Sequence, residues 1–196
     1  MTPTADDFHA LARSSPWRWT TLHLRARSSR WHVEAWLARP DGVRIVDPAG
    51  APVTLNLEAQ RPGGSPTRPW VPASGGDGLY WENYSWLAML DPVELSHDVA
   101  LARLREDEVA GRPVWRADVT ALPGYDPRCS CCALIWCEIA DVYEWGDTPG
   151  WTPLTDAYPD HYDVALDVQT GIVVRCLPVG GSSDAFWLEN DILEAC

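Results

Sequence analysis

Apolar residues recur along this chain with two different periods. From Thr4 to Ser14, Phe8, Leu11 and Ala12 fall on one helical stripe, with Thr4 at the cap position and Asp6 and Asp7 in the first turn. A hydroxyl cap and early carboxylates satisfy the bare N–H groups of a helix start, so this stretch predicts a short helix, which Pro16 ends. From Trp17 the period becomes two. Trp17 to Ala26, Arg30 to Arg39, Val43 to Val46 and Pro52 to Leu57 predict four strands, separated by Arg27-Ser28-Ser29, Pro40-Asp41-Gly42 and Asp47-Pro48-Ala49-Gly50. Connections this short make neighbouring strands antiparallel, because parallel pairing needs a long crossover. Trp31, Val33, Ala35 and Leu37 share one face of the second strand, while Trp36 lies on the other with His32 and Glu34.

Residues 61–78, RPGGSPTRPWVPASGGDG, are too rich in Pro and Gly for regular structure and too long for a hairpin. Trp81 to Leu90 then predicts a short apolar helix or irregular plug, closed by Asp91-Pro92. Strands resume at Val99 to Arg105 and at Pro113 to Leu122, joined through Glu108-Val109-Ala110-Gly111-Arg112. After a Cys-rich and acidic stretch over 125–160 comes a hairpin, His161 to Val168 and Ile172 to Leu177, turning at Gln169-Thr170-Gly171. A last strand runs from Ala185 to Leu193. No repeat and no long linker divides the chain, so residues 1–196 are expected to form one domain. The fold class expected is mainly β, a single curved antiparallel sheet with short helices against its concave side.

Several of these segments resemble the LolA-like superfamily of lipoprotein carriers. Leu90-Asp91-Pro92-Val93-Glu94-Leu95 is similar to the family's segment before its later strands. Glu108 to Trp115, EVAGRPVW, resembles its v-x-G-R hairpin, and Tyr162 to Arg175, YDVALDVQTGIVVR, resembles its D-x-x-T-G hairpin. The resemblance implies an incomplete β-barrel with a helical lid over an apolar hollow, which in well-known members holds acyl chains. The Cys-rich segment has no counterpart in that pattern, nor does the N-terminus of this chain carry an export signal.

Charge narrows the choice of partners. The net charge is -13, and residues 101–196 hold 17 of the 28 acids but only 6 of the 15 basic residues, all of them Arg. An all-Arg basic complement points to a GC-rich bacterial genome. Between Arg128 and Arg175 the only basic side chain is His161. Such a surface repels phosphate backbones and anionic headgroups, which disfavours nucleic acid and membrane surfaces. It is read as a solvated acidic face, or as a docking face for a cation or a basic partner. The start of the chain, MTPTADDFHALARSSPWRW, lacks the basic and apolar regions of a secretory signal, and no run of about 18 apolar residues occurs. The expected location is the cytoplasm, where six Cys are normally reduced.

Cys129, Cys131, Cys132 and Cys137 lie within nine residues, and Cys176 shares a strand face with Ile172 and Val174. Thiolates so placed suit zinc or copper(I), although C-x-C-C-x4-C is not a zinc-ribbon spacing. Three readings stay open: a metal site, a disulfide or redox pair, and buried thiols acting as small hydrophobes. At least one Cys-mediated link from this segment to the sheet is expected, either a metal ion or a disulfide, with Cys176 as the favoured partner. The five His are scattered, no HExxH or G-x-S-x-G occurs, and Gly75-Gly76-Asp77-Gly78 lacks the Lys of a phosphate loop. A binding role is therefore expected rather than catalysis. The ligand would be a hydrophobic or acyl-bearing molecule, or a protein partner, and the pocket would be lined by Trp17, Trp19, Trp36, Trp81, Trp86 and Leu90.

Overall fold

The computed structural model describes residues 2–29, 32–39, 42–52, 85–127, 133–153, 155 and 157–196. Helix α1 covers Ala5–Ser14 and is closed by a reciprocal capping box. Asp7 N–H donates to Thr4 Oγ1 at 3.2 Å and Thr4 N–H to Asp7 Oδ2 at 2.9 Å. The apolar stripe, Phe8, Leu11 and Ala12, is buried. Residues Ser15–Trp17 add a short 3-10 turn containing Pro16, so the first strand begins later than the alternation suggests.

Eight strands follow: β1 Thr21–Ser28, β2 His32–Ala38, β3 Gly42–Val46, β4 Val99–Val109, β5 Arg112–Ala121, β6 His161–Asp167, β7 Val173–Val179 and β8 Leu188–Ala195. Helices α2, Ser85–Leu90, and α3, Glu138–Trp145, interrupt the series. The strands form one sheet in the order β3-β2-β1-β8-β7-β6-β5-β4. Every neighbouring pair is antiparallel. Two meanders therefore meet along a seam where β1 lies against β8. Of the predicted strand Pro52 to Leu57, Pro52 bridges Val46 and the remainder lies outside the described residues.

Two local differences have clear causes. The β4–β5 connection is only Ala110-Gly111, both at positive φ (49° and 77°), so the strands run further into it than their sequence suggests. A two-residue turn of that hand matches the twist of its strands. Helix α3 was hidden in a segment that reads as Cys-rich loop. Its signals are Glu138 and Asp141 in the first turn and Ala140 on the buried side.

The β6–β7 hairpin shows why its sequence is so turn-specific. Asp167, fully buried, accepts from Thr170 N–H (2.8 Å) and Thr170 Oγ1 (2.7 Å), while Arg112 donates to its other oxygen at 2.7 Å. Gly171 sits at φ +71°, and a Cβ there would lie 2.7 Å from the Leu11 carbonyl of α1. The turn thus needs glycine for its conformation and for its contact with the helix.

One face of the sheet is the core. Leu24, Ala26, Val33, Ala35 and Leu37 pack there with Val164, Cys176, Leu188 and Ile192, against Phe8, Leu11, Met89, Leu90, Leu95 and Leu134 in one buried cluster. Burial of this kind contributes about 25 cal/mol per Å² of apolar surface and is the main force holding the helices down. The other face carries polar side chains joined across the strands. Arg27 of β1 meets Glu189 of β8 at 3.4 Å, and Glu189 meets Arg175 of β7 at 3.3 Å. Arg175 then contacts Asp163 of β6 at 2.8 Å, Asp163 contacts Arg116 of β5 at 2.6 Å, and Arg116 contacts Asp107 of β4 at 2.7 Å. Among the described residues, no helix is long and apolar enough to cross a membrane.

Candidate functional site: a Trp36 groove on the polar face

On that same polar face, four side chains form a row across four strands. The register sets Arg44 of β3 opposite Trp36 of β2, Trp36 opposite His23 of β1, and His23 opposite Glu194 of β8. Cross-strand neighbours touch, and these stack. The Trp36 and His23 rings lie 4.5 Å apart at 21°, and the Arg44 guanidinium rests 4.6 Å from the centroid of Trp36. His23 Nε2 is 2.7 Å from Glu34 Oε1, and Arg25 Nε donates to Glu34 Oε2 at 3.3 Å. The His23 contact, helped by Arg25, holds the Glu34 carboxyl below its usual range.

Residues 21–23 and 36–38, with Arg44 and Glu194, line a groove of about 480 Å³. That volume falls within the roughly 300–1,000 Å³ of small-molecule sites. Its floor is the aromatic pair, and a charge of each sign stands at either end. The arrangement suits an apolar or flat body laid on Trp36 with a polar end beside Arg44.

Of the six residues expected to line one pocket, the four whose side chains are described are not brought together. Trp36 lines the groove. Trp17 is 55% exposed, whereas Trp19 is buried under the Arg39 guanidinium, 3.6 Å from its ring centroid. Arg39 Nη1 also donates to the Trp19 carbonyl at 2.8 Å and to the Pro16 carbonyl, and burial pushes its pKa down to about 10. Leu90 is a core residue whose carbonyl accepts from Ser15 Oγ at 2.9 Å. Trp81 and the side chain of Trp86 lie outside the described residues.

The Cys segment is tied down by other means than a disulfide at Cys176. Cys137, Cys176 and Cys196 are free thiols. Cys176 donates from Sγ to the Leu134 carbonyl at 3.4 Å, and Leu134 N–H donates to Glu94 Oε1 at 2.7 Å. The Tyr125 hydroxyl donates to the same Glu94 oxygen at 2.6 Å and accepts from Ile135 N–H at 3.3 Å. A buried carboxylate that receives both an amide and a phenol fastens residues 125 and 134 to the Val93–Leu95 turn through charge-assisted hydrogen bonds, stronger than neutral ones. Burial pushes the thiols of Cys176 and Cys137 upward, which keeps them protonated and poorly nucleophilic. Cys129, Cys131 and Cys132 lie outside the described residues, and no group of metal-ligating side chains occurs among the described ones.

Sequence reasoning gave His23 no special role and did not single out Arg44 or Glu194. Alternation does put His23 and Trp36 on the polar face, but joining Glu194 to them requires knowing that β8 lies beside β1. Compared with protein-family models, curated proteins and solved structures, the chain matches none.

Proposed function

We propose that this chain is a non-catalytic binding protein of LolA-like type that holds a hydrophobic or acyl-bearing ligand on its Trp36 platform. The observation that carries the reading is the groove of about 480 Å³ over the stacked Trp36 and His23, flanked by Arg44. The core side of the sheet is filled at the described residues by Phe8, Met89, Leu90 and Leu134, so the ligand is assigned to the opposite face. The apolar body gains from lost water contact with the aromatic rings, and the Arg44 guanidinium meets its carboxylate or ester end. Titration of isotope-labelled protein with dodecanoate tests this by NMR. Saturable shifts confined to residues 21–23, 36–38, 44 and 194 are expected, weakened about tenfold by Trp36→Ala, which removes a central aromatic anchor. No saturable shift, or shifts centred on the core side, would overturn it.

A second reading is zinc or copper(I) binding through Cys129, Cys131, Cys132, Cys137 and Cys176. It is favoured by the Cys176 thiol donating to Leu134, two residues from Cys132. Zinc would have to displace thiol protons that burial holds in place, so uptake should rise steeply with pH. Native mass spectrometry of zinc-titrated protein, alongside Cys137→Ser and Cys176→Ser, checks it. Uptake by neither protein nor variants at any pH removes the reading.

A further inference from the structure

We propose that the outward face of α3 is a docking surface for a basic, amphipathic protein segment. Helix α3 is attached to the molecule along one side. Ala140 is buried, and the buried carboxylate of Asp141 accepts from Trp136 Nε1 at 3.0 Å and from the Tyr158 hydroxyl at 2.7 Å. Ile139 also packs, half-buried, against the core, but three further apolar or aromatic residues of the helix point to solvent. Val142 is 49% exposed, Tyr143 70% and Trp145 39%. Seven large hydrophobic residues are exposed among the described ones, and three of them fall within these four positions. Scattered exposed apolar residues need no explanation, whereas a contiguous set does. Val142 and Trp145, three apart on a helix, lie side by side, with Tyr143 on the adjoining flank.

Charge selects the occupant. Residues 129–174 contain neither Lys nor Arg, and although Asp141, Asp163 and Asp167 are engaged within the fold, Glu138, Glu144 and Asp147 are exposed around the apolar patch. The last turn of α3 holds no basic residue to offset its negative end, unlike α1, where Arg13 stands there. Guanidinium groups are attracted both by carboxylates and by the faces of Tyr and Trp, so arginines flanking an apolar stripe match this surface on every count. Nucleic acid and anionic membranes are repelled. A second copy of the chain is a poor fit as well. It carries the same net charge of -13, and on its polar face Arg25, Arg27, Arg116 and Arg175 are already held by Glu34, Glu189, Asp163 and Asp107, which leaves Arg44, stacked on Trp36, as a single charge rather than a flanking set.

The probe is an amphipathic helical peptide of arginine and leucine, compared with a scrambled isomer of equal charge. Fluorescence anisotropy of the labelled peptides at physiological salt is expected to give a Kd on the order of 10 µM for the amphipathic form. The scrambled form should bind about tenfold more weakly, as should Tyr143→Ala and the double variant Tyr143→Ala/Trp145→Ala. Tyr143 is the most exposed of the three, so its single variant is not expected to disturb folding, which far-ultraviolet circular dichroism verifies. Equal binding of both peptides, or unchanged binding by a folded Tyr143→Ala/Trp145→Ala protein, would reduce the effect to non-specific charge and overturn the proposal. A concentration-dependent dimer in sedimentation that the double variant abolishes would overturn it in favour of self-association.

Discussion

The polar face of the sheet contains two rows built by the same cross-strand geometry that end in opposite states. The ladder from Arg27 through Glu189, Arg175, Asp163 and Arg116 to Asp107 is self-satisfied, since each charge meets an opposite one on the next strand. It works partly by diagonals. Direct register sets Asp163 opposite Asp118 and Arg116 opposite Arg105, both like-charged, and slanted contacts resolve them: Arg116 reaches Asp163 and Asp107, and Arg103 reaches Asp118. The row from Arg44 through Trp36 and His23 to Glu194 instead places two rings between its charges and leaves a groove beside them. A row whose members complete one another presents little to a ligand. A row that interposes aromatic surface keeps apolar area available.

The sharpest way to break this contrast is at the centre of the ladder. Asp163 accepts from both Arg116 and Arg175 and its side chain is only 13% exposed. Asp163→Ala leaves Arg116 with Asp107 alone and Arg175 with Glu189 alone, and a urea titration should show a loss of about 1.5–2 kcal/mol, below the ~3–5 kcal/mol of a fully buried pair left unpartnered. Acid should imitate this change. Burial works to raise the Asp163 carboxyl, but hydrogen bonds from Arg116 and Arg175 outweigh it and bring the net value below the usual range. Its contribution is therefore complete above the ordinary aspartate pKa of about 4 and is lost as pH falls through the lower folded value. The stability gap between wild type and Asp163→Asn should be constant from pH 7 to pH 5 and shrink toward pH 3.

Trp36→Ala should divide the two properties. With Trp36 half-buried on the polar face, the expected stability cost is about 1 kcal/mol. Calorimetric titration with dodecanoate should nevertheless show affinity falling about tenfold. The smallest effect belongs to the end of the ladder. Arg27 is 48% exposed and 3.4 Å from Glu189, so Arg27→Ala should cost about 0–1 kcal/mol and fade in high salt, as a salt series of urea midpoints would register.

Where local chemistry sets structure, the sequence was legible. Thr4 with Asp7 announces the start of α1, and Asp167-Val168-Gln169-Thr170-Gly171 announces the turn between β6 and β7, because each motif satisfies its own backbone groups. Alternation placed Val33, Ala35 and Leu37 on the buried side and Trp36 on the other. Strand order was not legible. No local signal tells β1 that its second neighbour is β8, so neither the ladder nor the row ending at Glu194 can be assembled from spacing. Of the site, Trp36 stood out as a large apolar residue between polar neighbours, while Arg44 and Glu194 resembled ordinary surface charges. Helix α3 was missed because Ile139 and Ala140 face the core while Val142, Tyr143 and Trp145 face outward, which erases the one-sided stripe that identifies a helix.

The seam between β1 and β8 also governs how the molecule must assemble. Their backbones pair from Leu22 with Ala195 to Ser28 with Leu188, contacts that span nearly the whole chain. Hairpins such as β4–β5 and β6–β7 join residues close in sequence and close at little entropic cost, while this junction must constrain everything between its two strands. On the ribosome, the β1–β3 meander remains a three-stranded fragment with one long edge exposed until β8 emerges to cover it. During that interval the unpaired edge of β1 is open to pairing with another chain, and the speed with which β8 arrives decides how long that lasts.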